Sequence, residues 1–294
     1  MPGNFIASAD GTQLFVQRWP APGTVHGTVQ VVHGLGEHIG RYAAVAQALN
    51  GAGWHVVGHD QRGHGRSEGE RGTVPAGPGL LADLAAVMDA VREPGRHVLL
   101  GHSMGGTVAA RFAAEALAPA PAAWSRPLDG LVLSSPALDL GMGSFQKALL
   151  AVLGPLAPDL RVGNGLKPAW ISRDAGVVQA YVDDPLVHDR VTPRLVRCML
   201  DGSAQVLARA PQWRVPTLLL WAGADRCVAP RGSAAFAAAA PPAWVASQAY
   251  PELFHEIFNE PERAQVLSRL TQWLNLLPPT PLRGACHERT HPQP

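Results

Sequence analysis

The 294-residue chain is 47% hydrophobic and 16% charged, enough for one large core or a core with an inserted subdomain, and its 31 Gly and 27 Pro argue against a helical bundle. A net charge of +1 builds no basic stripe, which excludes nucleic acid as an expected partner. Cys198, Cys227 and Cys286 are too few and too scattered for a disulfide framework or a thiolate metal centre, and residues 1–19 carry no basic-then-apolar leader, so a cytoplasmic location is expected.

Along the chain, alternation over 12–19 predicts an early edge strand. The β-branched run 27–33 predicts a second strand, ending in His33-Gly34-Leu35-Gly36, and helical spacing of Tyr42, Val45, Ala46 and Leu49 predicts a helix over 41–52. A buried strand over 54–58 leads to Asp60. An amphipathic helix follows over 79–91, then a strand over 97–100 and an Ala-rich helix over 104–117. Residues 130–133, 217–221 and 246–250 supply further strands. Strands alternating with helices of this length predict an α/β protein whose mostly parallel sheet is covered by helices on both faces. Between 140 and 214 the apolar residues follow helical spacing with no clear strand, which predicts a helical cap over the carboxyl edge of the sheet. The expected organisation is a core at 1–139 and 215–277, a cap at 140–214 and a polar, proline-rich disordered tail at 278–294. The apolar stretch 148–157 is broken by Gly154 and Pro155, far short of the ~20 residues of a membrane span.

The strongest chemical signal is Gly101-His102-Ser103-Met104-Gly105, directly after a buried strand and before a helix. A serine on this sharp turn is pushed out at the sheet edge, with the amides of the following helix aimed at the same place. A hydroxyl is a poor nucleophile without a base, and the base needs an orienting acid. With this elbow the chain order is serine, acid, histidine. Asp225 falls just past the strand at 217–221, and His255 follows the last strand; His287 and His291 lie in the tail. Ser103, Asp225 and His255 are therefore the candidate triad. The plainer alternatives are a helix N-cap for Asp225 and an ordinary core or surface histidine for His255. The Met104 amide and the Leu35 amide in the glycine-rich loop are the candidate oxyanion donors. Asp60, His64 and Glu68 could be read as metal ligands, but no second cluster completes a site. A tight turn with Asp60 and Arg62 hydrogen-bonded inside it is the preferred reading. No metal or cofactor is expected.

These motifs together resemble a known family. His33 to His38 (HGLGEH) followed by Gly40-Arg41-Tyr42, Asp60 to Arg71 (DQRGHGRSEGER), Gly101 to Gly106 (GHSMGG), and the segments ISRDAG from Ile171 and YVDDPL from Tyr181 look like the monoacylglycerol lipase and lysophospholipase-like branch of the α/β-hydrolases. The resemblance runs from about residue 15 to 276. It implies an eight-stranded α/β-hydrolase sheet with a cap inserted after the sixth strand. It further implies hydrolysis of single-chain acyl esters by a serine esterase without a cofactor, with the nucleophile at Ser103, the acid at Asp225, the base at His255 and the oxyanion amides at Leu35 and Met104. Leu35 departs from the frequent alanine, and Cys227 from the common aliphatic residue two positions past the acid. Met142, Phe145, Leu149 and Leu153 are the expected acyl-chain contacts, the alternative being packing of cap helices on one another. A thioesterase or lactonase using the same triad, or a ligand-binding protein that keeps the pocket without turnover, are the competing functions. A lipid substrate would bring the cap to a membrane surface, although no basic amphipathic helix marks it.

Overall fold

The computed structural model describes residues 4–278. Its strands are β1 (Asn4–Ala7), β2 (Gln13–Trp19), β3 (Gly27–Val32), β4 (Trp54–His59), β5 (Arg96–His102), β6 (Gly130–Ser134), β7 (Val162–Gly163), β8 (Arg190–Val191), β9 (Thr217–Ala222) and β10 (Val245–Tyr250). The helices are α1 (Ala43–Gly51), α2 (Gly79–Val91), α3 (Ser103–Glu115), α4 (Ser144–Leu156), α5 (Ala175–Asp183), α6 (Pro193–Arg209), α7 (Pro230–Ala239) and α8 (Arg263–Leu276). Eight strands make one sheet in the order β1-β2-β4-β3-β5-β6-β9-β10, antiparallel at β1–β2 and β2–β4 and parallel elsewhere.

The central strands are apolar on both sides because both sides are covered. Side chains alternate across the sheet. Val32, Leu99, Leu131, Leu133 and Leu219 pack against α2, α3 and α6, whereas Val29, Val31, Val98, Leu100, Val132, Leu218 and Leu220 pack against α1 and α8. Burying these branched side chains supplies roughly 1.5–3 kcal/mol each before the entropy cost of ordering them. Parallel pairing then has a positional consequence. Val32 stands beside Gly101 and Ala222 beside Tyr250, so the loops leaving β3, β5, β9 and β10 start as neighbours at one edge. β3, whose neighbours are β4 and β5, is where the strand order reverses, the usual place for a ligand crevice in such sheets.

The segment between β6 and β9 holds α4, α5 and α6, together with one feature that helical spacing does not reveal: β7 and β8 pair antiparallel through two residues each. Its last helix, α6, opens with Thr192 accepting from the Leu195 amide and buries Leu195, Met199 and Val206 in the same cluster as α3. The edge strand β1 and the helices α7 and α8 are additions to the elements expected from periodicity. Among the described residues, no helix is long and apolar enough to cross a membrane. The expected tail falls outside the described residues beyond Pro278.

Candidate active site

Ser103 opens α3 immediately after β5, with a φ of 52°, a left-handed conformation unusual for a non-glycine residue. The strain is held by close packing. A methyl on Gly105 would collide with the carbonyls of Val32 and His33, so only glycine lets α3 start this close to β3. The first turn of α3 has backbone N–H groups without helical acceptors. Met104 lies in that first turn with its side chain buried.

The loop after β3 is fixed by a neutral imidazole. His33 is fully buried, and burial holds its pKa well below the ordinary value, against the hydrogen bond to Gly34. Its Nδ1–H donates to the Gly34 carbonyl at 2.8 Å, while Nε2 accepts from the Gln61 amide at 2.9 Å. Glu37 closes the same loop by accepting from the Gly34 amide at 2.6 Å and from the Tyr42 hydroxyl at 2.8 Å. Leu35 is thereby held at the wall of the cavity that contains Ser103.

Asp225 and His255 meet because the loops after β9 and β10 are tied together: Gly223 N–H donates to the Tyr250 carbonyl and Ala224 N–H to that of Leu253. His255 Nδ1 lies 2.7 Å from Asp225 Oδ2, and both side chains are almost wholly buried. Asp225 Oδ1 meanwhile accepts from the amides of Cys227 at 2.8 Å and Val228 at 3.1 Å. The capping role and the partnership with His255 are thus held by the two oxygens of one carboxylate. Burial alone would lower the His255 pKa. The charge and hydrogen bond of Asp225, with Glu256 and Glu37 behind, outweigh it and leave the pKa raised. With Nδ1 committed to Asp225, Nε2 is the nitrogen left for a substrate or a hydroxyl.

Ser103, His102, Leu35 and His255 line one cavity of about 420 Å³, roofed by Leu166, Ile171, Tyr181, Val182 and Val187. One end is polar. Arg41 donates to Glu37 at 2.9 Å and forks onto Glu256 at 2.6 and 2.8 Å, and its guanidinium lies 4.8 Å from the centre of the Tyr181 ring. Burial would raise the Glu37 pKa, but Arg41, His102 and the two donors hold it below its ordinary value. His38 joins the loop to the far side of the cavity through Asp184, at 2.8 Å. None of Glu37, Arg41, Tyr181 or Glu256 was expected from spacing. The signal for Glu37 and Arg41 is only that HGLGEH and GRY are charged where a structural loop need not be; Tyr181 opens the YVDDPL segment, and Glu256 carries no signal beyond its place next to His255.

The expected acyl contacts are corrected. Phe145 is 79% exposed and Leu149 46% exposed, and neither they nor Met142 lines the Ser103 cavity; the Leu153 side chain lies outside the described residues. The apolar stripe of α4 faces outward, and Leu35, Leu166, Ile171, Val182 and Val187 supply the apolar wall instead. The turn at 60–69 is corrected in one respect. Asp60 accepts from the amides of Ile39 and Arg66, but Arg62 leaves the turn to fork onto Asp83 of α2 at 2.5 and 2.6 Å. Glu68 accepts from the Gln13 amide at 2.8 Å, and His64 Nδ1 bonds the Arg62 carbonyl.

Residues 23–262 match the family model described as serine aminopeptidase, S33. The chain is 34% identical over 275 residues to a monoacylglycerol lipase of Mycolicibacterium smegmatis, covering 92% of this chain and 95% of that protein. The crystal structure of Paleococcus ferrophilus monoacylglycerol lipase superposes with a TM-score of 0.76 at 34% identity, over 89% of this chain and 98% of the other. A soluble variant of monoglyceride lipase from Saccharomyces cerevisiae, in complex with a substrate analog, shares the fold with a TM-score of 0.80 at 21% identity, over 92% and 94% of the two chains.

Proposed function

Since this chain belongs to the monoacylglycerol lipase family of the α/β-hydrolases, a family of carboxylic ester hydrolases, we propose that it cleaves single-chain acyl esters of glycerol through an acyl-enzyme on Ser103. The observation that carries this reading is the 2.7 Å bond from His255 to Asp225 in the cavity that also holds the strained Ser103. His255 Nε2 takes the Ser103 proton as Oγ attacks the ester carbonyl, and Asp225 stabilises the imidazolium that forms. The amides of Leu35 and Met104 receive the developing oxyanion. The alcohol leaves with the proton from His255, and water repeats the sequence on the acyl-enzyme. The cavity suits such a substrate because Leu166, Ile171, Val182 and Val187 offer an acyl chain an apolar wall. Glu37, Tyr181 and Glu256 offer hydrogen bonds to a hydroxylated alcohol.

The segment 140–214 acts as the cap over this cavity, and the outward face of α4, with Phe145, Val152 and Leu156 exposed, is the surface that meets a lipid interface. Ser103→Ala, with the fold retained by circular dichroism, is expected to lower hydrolysis of monoacylglycerols and p-nitrophenyl esters roughly 10⁴-fold or more. Unchanged turnover would remove Ser103 as nucleophile, and faster turnover of thioesters or lactones than of glycerol esters would move the substrate class.

A further inference from the structure

The acyl-transfer reaction leaves Cys227 without a part, yet the thiol stands among its machinery. Cys227 Sγ, a carboxylate oxygen of Asp225 and an imidazole nitrogen of His255 all lie within 4.8 Å of one another. Among the described residues, no other three His, Cys, Asp or Glu donors converge in this way. The sequence causes the meeting: Asp225 Oδ1 draws in the Cys227 and Val228 amides, which folds the turn back over the carboxylate. Both Cys227 and His255 line the Ser103 cavity, so a small ion reaches the trio by the route a substrate takes.

We propose that Asp225, Cys227 and His255 form an inhibitory site for a borderline or soft divalent cation, zinc or cadmium. Thiolate, imidazole and carboxylate are the donor set such ions prefer, and three protein ligands leave a fourth position open to water. Around a tetrahedral zinc such donors sit about 3.5 Å apart, so a trio already within 4.8 Å needs a modest adjustment, in which the Asp225–His255 pair opens from 2.7 Å. The surrounding field favours a cation. Glu37 and Glu256 are both buried beside the site, and one cation, Arg41, is shared between the two. On binding, the thiol proton goes to solvent and the imidazole binds in its neutral form, so no redox change is involved. An imidazole held on a metal ion has given up the lone pair and the freedom it needs to carry a proton, so a bound cation stops hydrolysis. That last step rests on His255 being the base; the binding itself does not.

The test uses the reduced full-length protein in a Cys198→Ser, Cys286→Ser background, which serves as wild type and leaves Cys227 as its one thiol. Cadmium titration followed by the thiolate-to-metal charge-transfer absorption should give a band saturating at one equivalent in wild type. It should be lost in both Cys227→Val and Cys227→Ser, two variants of different polarity in case one disturbs folding. Zinc affinity, by competition with a chromophoric chelator, should fall about tenfold or more in both. Zinc should also inhibit wild-type ester hydrolysis over the range in which it binds, and each variant, measured against its own uninhibited rate, should need about tenfold more. Absence of the band in wild type, or wild-type zinc affinity in both variants, overturns the site. Stoichiometric zinc binding that leaves hydrolysis untouched upholds the site and instead overturns His255 as the base.

Discussion

At the scale of single residues, Asp225 carries two duties that can be separated. Oδ2 orients His255 and Oδ1 holds the turn at 227–228. Asp225→Asn keeps an acceptor oxygen for the turn but offers His255 no full charge, so it is expected to lower kcat on esters by about 10³- to 10⁴-fold, the scale seen when a triad acid is made an amide. Its urea midpoint should stay near wild type. Asp225→Ala removes both oxygens and should cost about 1 kcal/mol of stability besides, the size of a lost cap. Equal destabilisation in both variants would remove the capping role. This division was half legible in the sequence. A carboxylate past a strand reads as either an acid or a cap, and only the hydrogen bonds show that one carboxylate both meets His255 and caps the turn. Glu37, Arg41 and Glu256 were less legible still, because Arg41 and Glu256 are 215 positions apart and a charge pair over that distance leaves no periodic trace.

At the scale of elements, periodicity identifies an apolar face without saying what covers it. The stripe on α4 was expected to line the acyl pocket. In the structure Phe145, Val152 and Leu156 are exposed, while α6, with the same kind of stripe, buries its apolar face against α3. The core strands were legible because burial on both faces demands unbroken branched residues. β1 was not, since its four residues are mostly exposed, and β7 and β8 are too short to carry any period. The exposed stripe makes a definite expectation for α4. Each large apolar side chain withdrawn from water is worth about 1.5–3 kcal/mol. Replacing both Phe145 and Leu156 by Ser should therefore weaken partition onto zwitterionic phospholipid vesicles by about tenfold or more, read by co-sedimentation. Hydrolysis of a water-soluble short-chain ester should persist, because neither residue touches the Ser103 cavity. Equal loss on soluble and vesicle-borne substrates would assign the stripe to packing rather than to the lipid interface.

At the scale of the whole molecule, the sheet is built around imidazoles that folding keeps neutral. His59 ends β4 and His97 lies in β5, and burial pulls both pKa values down to about 4 from an ordinary 6.5. His33 and His64, in the loops beside them, are pulled well below the ordinary value by burial too. The Nδ1 atoms of His59 and His97 are buried without a hydrogen-bond partner, so the cost of burying a charge there outweighs the pull of Asp83 on His59 and of Asp129 on His97. In the unfolded chain these rings bind protons near pH 6.5. Between that value and about 4 these rings hold more protons in the unfolded state than in the folded one, so the stability they contribute is complete above pH 7 and declines as acid is added. His59 and His97 each account for up to about 3 kcal/mol across that window. Urea unfolding between pH 7 and 5 should show a falling unfolding free energy, with a slope of up to about 1.4 kcal/mol per pH unit for every imidazole titrating. His97→Gln isolates one of them, because its amide can still donate to Gln30 Oε1, which His97 Nε2 now meets at 2.8 Å, but cannot take a proton. That variant should lose less stability than wild type on acidification. A stability profile that is flat from pH 7 to 5, or identical in wild type and variant, would mean that the buried rings do not govern acid unfolding.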